Sequence, residues 1–214
     1  MNNIIIEKNK YVYKDKIYEY NEIESLINKC GKNIRVIVLA ENLLIKICEK
    51  VDLNTSKDIE KNILDNLIID EDTLIDYFFD KKFKKLYIYS IKQGIKVSKI
   101  LTRANKIKIE PIQYLLKSVI KKKFKFKKDY KALIKINNYL YFISVENRKL
   151  VCSKTLEEKQ DGLYNLIKED LIGENLLVDI NLKDMIKSIY NNEELRSINF
   201  INLKENVDYA ISKI

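Results

Sequence analysis

The chain has 214 residues, a formal net charge of +9 and 46% hydrophobic residues, with no His, no Trp, one Pro, four Gly and three Cys. Without histidine, the usual base and commonest metal ligand near neutral pH, Ser/His and Cys/His catalytic arrangements and most zinc sites are excluded. The glycines (Gly31, Gly94, Gly162 and Gly173) stand singly, so no glycine-rich loop is available to bring backbone amides onto a phosphate.

Residues 3–7 (NIIIE) predict a strand, and the period-two alternation of 10–20 (KYVYKDKIYEY) predicts a hairpin turning at Lys14-Asp15. Asn21 is placed to cap a helix through about Cys30, with Glu24 at the capping-box position and Gly31 as the stop. The β-branched run 33–40 (NIRVIVLA) predicts a strand buried on both faces. A strand at 43–51 follows, then a helix at about 57–67 capped by Thr55, Ser56 or Asp58, with Ile59, Ile63, Leu64 and Leu67 on one face. Residues 73–80 and 84–91 form a hairpin across Lys81-Lys82. A helix at 94–104, a strand at 106–110 and a helix opened by Pro111 and running to about Ile120 complete this part.

The tract KKKFKFKKD, 121–129, is the only strong shift in composition and is read as a boundary or exposed connector. The opening pattern then returns. Strands are predicted at 130–136, 139–145 and 149–154, with turns at Asn137-Asn138 and Asn147-Arg148. A helix at about 157–170, a buried strand at 175–180, a helix at 182–191, a strand at 197–203 and a further helix in the tail follow. Each half thus carries β-β-β-α-β, the element order of a ribonuclease-H-like unit. The expected fold is α/β and actin-like: two such subdomains with mixed sheets flanked by helices, and an inserted α/β block. The first unit with its block spans 1–120, the second 121–203, and 204–214 is a tail that could lead to a membrane anchor.

Short stretches resemble the PilM and GspL families, the actin-like cytoplasmic proteins of type IV pili and type II secretion systems. They are IRVIVLAENLLIKICEKVDL, the tract from LIDYFFD to IEPIQYLL, and DYKALIKINNYLYFISVENRKLVCSKT. FINLKENVDY resembles the Ile-Asn-Leu peptide that opens PilN, the membrane-anchored partner, and that docks into a groove on PilM; some members fuse the two proteins. The resemblance implies a scaffold at the inner face of the cell membrane, in contact with a PilN-like partner and an assembly ATPase, with a second copy of the chain as a further candidate partner. It also assigns Ile201, Asn202 and Leu203 to partner binding. Nucleotide-binding members carry an Asp-x-Gly phosphate loop in each unit. The corresponding hairpins here, YVYKDKIYEY and KINNYLYFISVE, contain no Gly, so neither a nucleotide nor any other cofactor is expected, and no enzymatic turnover.

Three charged features carry rival readings. The run Lys121, Lys122, Lys123, Lys125, Lys127 and Lys128, interleaved with Phe124 and Phe126, could meet an anionic membrane surface, an acidic partner or single-stranded nucleic acid. Nucleic acid is the weaker reading, because Arg, the preferred residue for bidentate phosphate recognition, occurs only four times. Asp129 and Asp179 could pair as carboxylates of a metal-dependent nuclease, although the first strand of either unit offers only Glu7. Asp70, Glu71, Asp72, Asp76 and Asp80 could hold a cation but lack the spacing of a calcium loop and read as a solvated turn. Cys30, Cys48 and Cys152 lie far apart and form no CxxC, which predicts reduced, mostly buried thiols.

Overall fold

The computed structural model describes residues 2–53, 55–102, 104–123, 128–157, 175–189 and 198–212. Its first strands, β1 (Asn2–Glu7), β2 (Lys10–Tyr13) and β3 (Lys16–Glu19), form an antiparallel meander. Lys14 and Asp15 both have positive φ, 50° and 61°, the backbone that a two-residue hairpin of matching twist requires. A 3-10 turn (Tyr20–Glu22) leads into α1 (Ile23–Lys29). The capping differs from expectation. Glu22 returns its carboxylate to the backbone, accepting the Glu19 amide at 2.8 Å, and Asn21 lies inside the turn. Strand β4 (Asn33–Leu39) then runs parallel to β1 through its whole length, and its residues from Ile34 onward are buried.

The inserted block is β5 (Leu44–Cys48), α2 (Ser56–Asn66), β6 (Thr73–Asp80) and β7 (Lys85–Lys92), followed by α3 (Gly94–Leu101). Thr55 caps α2, accepting the Asp58 amide at 3.3 Å, while Asp58 accepts the Thr55 amide at 2.8 Å. The three strands pair antiparallel in the order β5-β7-β6. The inward face of α2 covers the sheet through Ile63, with Val51, Leu86 and Ile88 in the same small core. Strand β8 (Lys106–Pro111) returns to the first sheet beside β4, and α4 (Ile112–Lys123) follows. Pro111 closes β8 rather than opening the helix; at the end of an edge strand its missing N–H costs no ladder bond. Helix α4 continues through Lys123, so Lys121–Lys123 form its last turn rather than a connector. Lysines there complement the negative end of the helix dipole.

The second sheet repeats the first. Strands β9 (Tyr130–Ile136), β10 (Tyr139–Glu146) and β11 (Lys149–Glu157) meander antiparallel, and β12 (Leu176–Asp179) and β13 (Ile198–Ile201) add in parallel. The orders β3-β2-β1-β4-β8 and β11-β10-β9-β12-β13 are one topology written twice. After β12 come a 3-10 turn (Ile180–Leu182) and α5 (Lys183–Lys187), and after β13 comes α6 (Lys204–Ser212). The helix expected at 157–170 lies outside the described residues. The apolar cluster that joins the units runs from Ile4, Ile6 and Val36–Val38 of the first sheet to Tyr139, Tyr141 and Ile143 of the second, and a separate one, with Leu133, Phe142 and Ile186, lies within the second unit. Leu203, just before α6, and Val207 within it join the cluster between the units, and α6 packs against α4. No helix of the described residues is long and apolar enough to cross a membrane.

Candidate functional site

The two units meet where β1 turns into β2 and β9 turns into β10. The turns occupy equivalent places in the two sheets, and side chains fill the space between them. Asn137 Nδ2 donates to both carboxylate oxygens of Glu7 at 3.4 Å. Lys8 lies 5.2 Å from the centre of the Tyr139 ring and 3.2 Å from Glu157 Oε1. Hydrogen bonding to Tyr139, then to Glu157, holds its ammonium above the usual range.

Behind these contacts, the backbone leaving β4 is bonded to the second unit by part-buried groups. The Ala40 amide donates to Tyr141 Oη at 2.9 Å. Burial pushes the Tyr141 phenol up, so it stays neutral. Gln113, fully buried at the start of α4, donates to the Glu41 carbonyl at 2.9 Å and to Thr155 Oγ1 at 3.1 Å. Thr155 donates its hydroxyl to the same carbonyl at 2.9 Å and its amide to Asn42 Oδ1 at 2.7 Å.

A nucleotide in this joint would need backbone amides free to approach its phosphates. The residues present do not fit one. Neither turn carries glycine, Glu7 brings a negative charge to the place, and Lys8 and Asn137 are held by protein partners. The sequence-based expectation placed the first unit's loop in YVYKDKIYEY, the β2–β3 hairpin; the turn equivalent to Asn137-Asn138 is instead Lys8-Asn9, between β1 and β2. The signal was faint: Lys8-Asn9 and Asn137-Asn138 sit at matching turns after the first strand of each unit.

Outside the joint, a groove of about 710 Å³ opens between the first unit and the inserted block, lined by Asn9, Glu19, Tyr20, Asn21, Asp72, Ile95 and Lys96. Beside it the backbones of Asp72 and Gly94 approach closely. Gly94 N donates to the Asp72 carbonyl at 2.9 Å, and a Cβ on Gly94 would lie 2.9 Å from the Asp72 carbonyl carbon. The Asp72 carboxylate caps α3, accepting the Ile95 amide at 3.0 Å. Tyr20 and Ile95 remain more than a third exposed within a polar rim, and Lys99 stands 3.8 Å over the Tyr20 ring.

The residues singled out from sequence have definite places. Leu203 is fully buried in the chain's own core. Asn202 accepts the Glu205 amide at 3.3 Å at the start of α6, and Ile201 ends β13 half-buried, so the Ile-Asn-Leu tract is engaged within its own fold. Lys121, Lys122 and Lys123 are exposed at the end of α4. Lys128 is exposed before β9, and its carbonyl accepts the Arg148 amide; Lys125 and Lys127 lie outside the described residues. Asp179, fully buried, accepts the Lys204 amide at 2.6 Å and the Asn181 amide at 3.0 Å, while Asp129 accepts the Asn147 amide in the β10–β11 turn. Asp70 pairs with Lys92 at 2.6 Å, and Asp76 accepts from the Tyr114 hydroxyl at 3.3 Å. Among the described residues, no group of three or more Cys, Asp or Glu could hold a metal ion. Cys30, Cys48 and Cys152 form no disulfide and are half-buried, and burial pushes the Cys30 thiol up to about 11.

Two sheets of one topology, joined across their first hairpins and carrying a β-α-β-β block in the first unit, define an actin-like fold. No protein-family model and no curated protein matches the chain. Solved structures do. A Bacteroides thetaiotaomicron protein with an actin-like ATPase fold and unknown function aligns over 98% of this chain and 93% of its own, with a TM-score of 0.59 and 10% identity. A chain of a PilM-PilN type IV pilus biogenesis complex aligns over 94% of this chain and 79% of its own, with a TM-score of 0.61 and 6% identity. At these identities the likeness establishes the fold.

Proposed function

We propose that the chain is a non-catalytic docking platform of a type IV pilus or type II secretion assembly, seated at the inner face of the cell membrane. The observation that carries this reading is the groove between the first unit and the inserted block. It is open, polar-rimmed and floored by exposed Tyr20 and Ile95, a form suited to an extended peptide with apolar anchors. Its natural occupant is the N-terminal peptide of a PilN-like partner, and the platform would link that partner to an assembly ATPase. The likeness to a chain of the PilM-PilN complex supports the reading, as does a joint whose side chains take the place of a phosphate cradle.

The test is fluorescence polarisation with a labelled synthetic peptide opening on Ile-Asn-Leu. Saturable binding is expected, weakened about tenfold or more by Tyr20→Ala combined with Ile95→Ser, the scale of one lost anchor pair. ATP with magnesium should shift the melting temperature of the wild type by less than 1 °C, since a ligand present at no more than its Kd stabilises by about 0.4 kcal/mol at most. Peptide binding that ignores the double variant, or ATP hydrolysis tracking the purified chain, would reject the proposal.

A further inference from the structure

A second groove, of about 630 Å³, lies on a different face, between the edge strand β8, helix α4 and helix α6. It shares no lining residue with the groove beside α3. Its charge is strongly one-sided: Arg35, Lys108, Lys122 and Lys123 line it against a single carboxylate, Glu110. That carboxylate is already committed. Arg35 Nε and Nη2 donate to Glu110 Oε2 at 2.8 and 2.6 Å, and Lys108 Nζ lies 3.0 Å from the same oxygen. Arg35 Nη1 turns to the Ala210 carbonyl at 3.0 Å, so the guanidinium is consumed in holding α6 against β4 and β8. The cations that can also reach a ligand are lysines: Lys108, paired with Glu110 yet more than half exposed, and the exposed Lys122 and Lys123 in the last turn of α4. Tyr209 of α6, 54% exposed, supplies an aromatic wall, and Leu115 and Val119 lie beneath.

We propose that this groove receives a short acidic segment of a partner protein. Three ammonium groups converge from two elements on a recess with an apolar floor, and carboxylates on a peptide that also carries an apolar side chain complement both features. A flat bilayer would reach the rim lysines but not the recessed floor. A nucleic acid strand would find no accessible guanidinium in this groove, because Arg35 is buried and each of its nitrogens is engaged by Glu110 or Ala210. The surface differs from the lysine run as read from sequence. It draws on Lys122 and Lys123 only, and recruits Lys108 and Tyr209 from elements distant in the chain.

The experiment uses the full chain and a fluorescein-labelled peptide in which glutamates flank a central Leu-Phe pair, read by fluorescence polarisation at physiological salt. Binding is expected, with affinity falling steeply as salt rises. The combined Lys108→Gln, Lys122→Gln, Lys123→Gln variant should lose about tenfold, the scale of a few partly exposed ion pairs. A charge-matched control, Lys16→Gln, Lys57→Gln, Lys81→Gln, alters exposed lysines elsewhere and should retain the affinity. The Tyr20→Ala, Ile95→Ser variant should retain it too, which separates this surface from the groove beside α3. Equal loss in the charge-matched control would reduce the binding to net charge and overturn the proposal. So would binding to phosphatidylserine vesicles or oligothymidine in place of the peptide, or no peptide binding at all.

Discussion

Tyr141 has no exposed surface, and its hydroxyl is the partner of a backbone amide that belongs to the other unit, that of Ala40. Ala40 sits at φ 61°, where the chain swings out of β4. Its N–H therefore points away from the sheet ladder and needs an acceptor supplied from outside. Tyr141→Phe removes that acceptor while leaving the ring, so it strands a part-buried donor. The expected loss is about 1–2 kcal/mol, or a fall in melting temperature of roughly 2–8 °C for a domain of this size. Lys8→Ala breaks a more conspicuous contact, the ion pair with Glu157, but both side chains are about half exposed. Its effect should be the smaller of the two, because solvent and salt screen an exposed pair. Urea denaturation of the two variants side by side checks the ranking, and an equal or reversed order would contradict it.

At the scale of elements, the strands were legible because their signal is local. The β-branched run of β4 and the alternation of β2 and β3 can be read without knowing what they pack on. Boundaries were less legible where two local rules competed. Pro111 suits the first turn of a helix and equally the end of an edge strand, and pairing of Pro111 with Val38 decided for the strand. The joint was hidden for a different reason: its bonds link residues more than 100 positions apart, such as Glu7 with Asn137 and Glu41 with Thr155. No window along the chain contains both partners. Gly94 illustrates the same limit. It reads as an isolated glycine at a helix start, where Ala is the better helix former by about 1 kcal/mol. In the structure an added Cβ would meet the Asp72 carbonyl carbon at 2.9 Å and its oxygen at 3.0 Å, both backbone atoms that cannot rotate aside. Gly94→Ala should therefore destabilise by about 1–3 kcal/mol. The sign is the test: a stabilising change in chemical denaturation would show that α3 is free to shift.

At the scale of the whole molecule, the question is whether two repeated units behave as two bodies. Domains within one chain commonly meet through modest, polar interfaces and move relative to each other. Here the core does not divide at the interface. Ile4, Val36 and Leu116 of the first unit share one apolar cluster with Tyr141, Ile143 and Leu177 of the second, and Leu203, just before α6, and Val207 of α6 complete it. Asn3 of β1 and Arg35 of β4 also donate to carbonyls of α6, so the last helix is fastened to the first sheet as well as to its own. Unfolding either unit alone would open this shared core and strip the acceptors from the other. The chain should accordingly unfold in one cooperative step. Far-ultraviolet circular dichroism and tyrosine fluorescence should give coincident urea curves, and the calorimetric enthalpy should equal the van't Hoff enthalpy. The slope of the urea transition should match the surface of all the described elements together rather than half of them. Two resolved transitions, or a slope near half the expected value, would mean that the joint is a hinge, and Tyr141→Phe would then be expected to widen the gap between them.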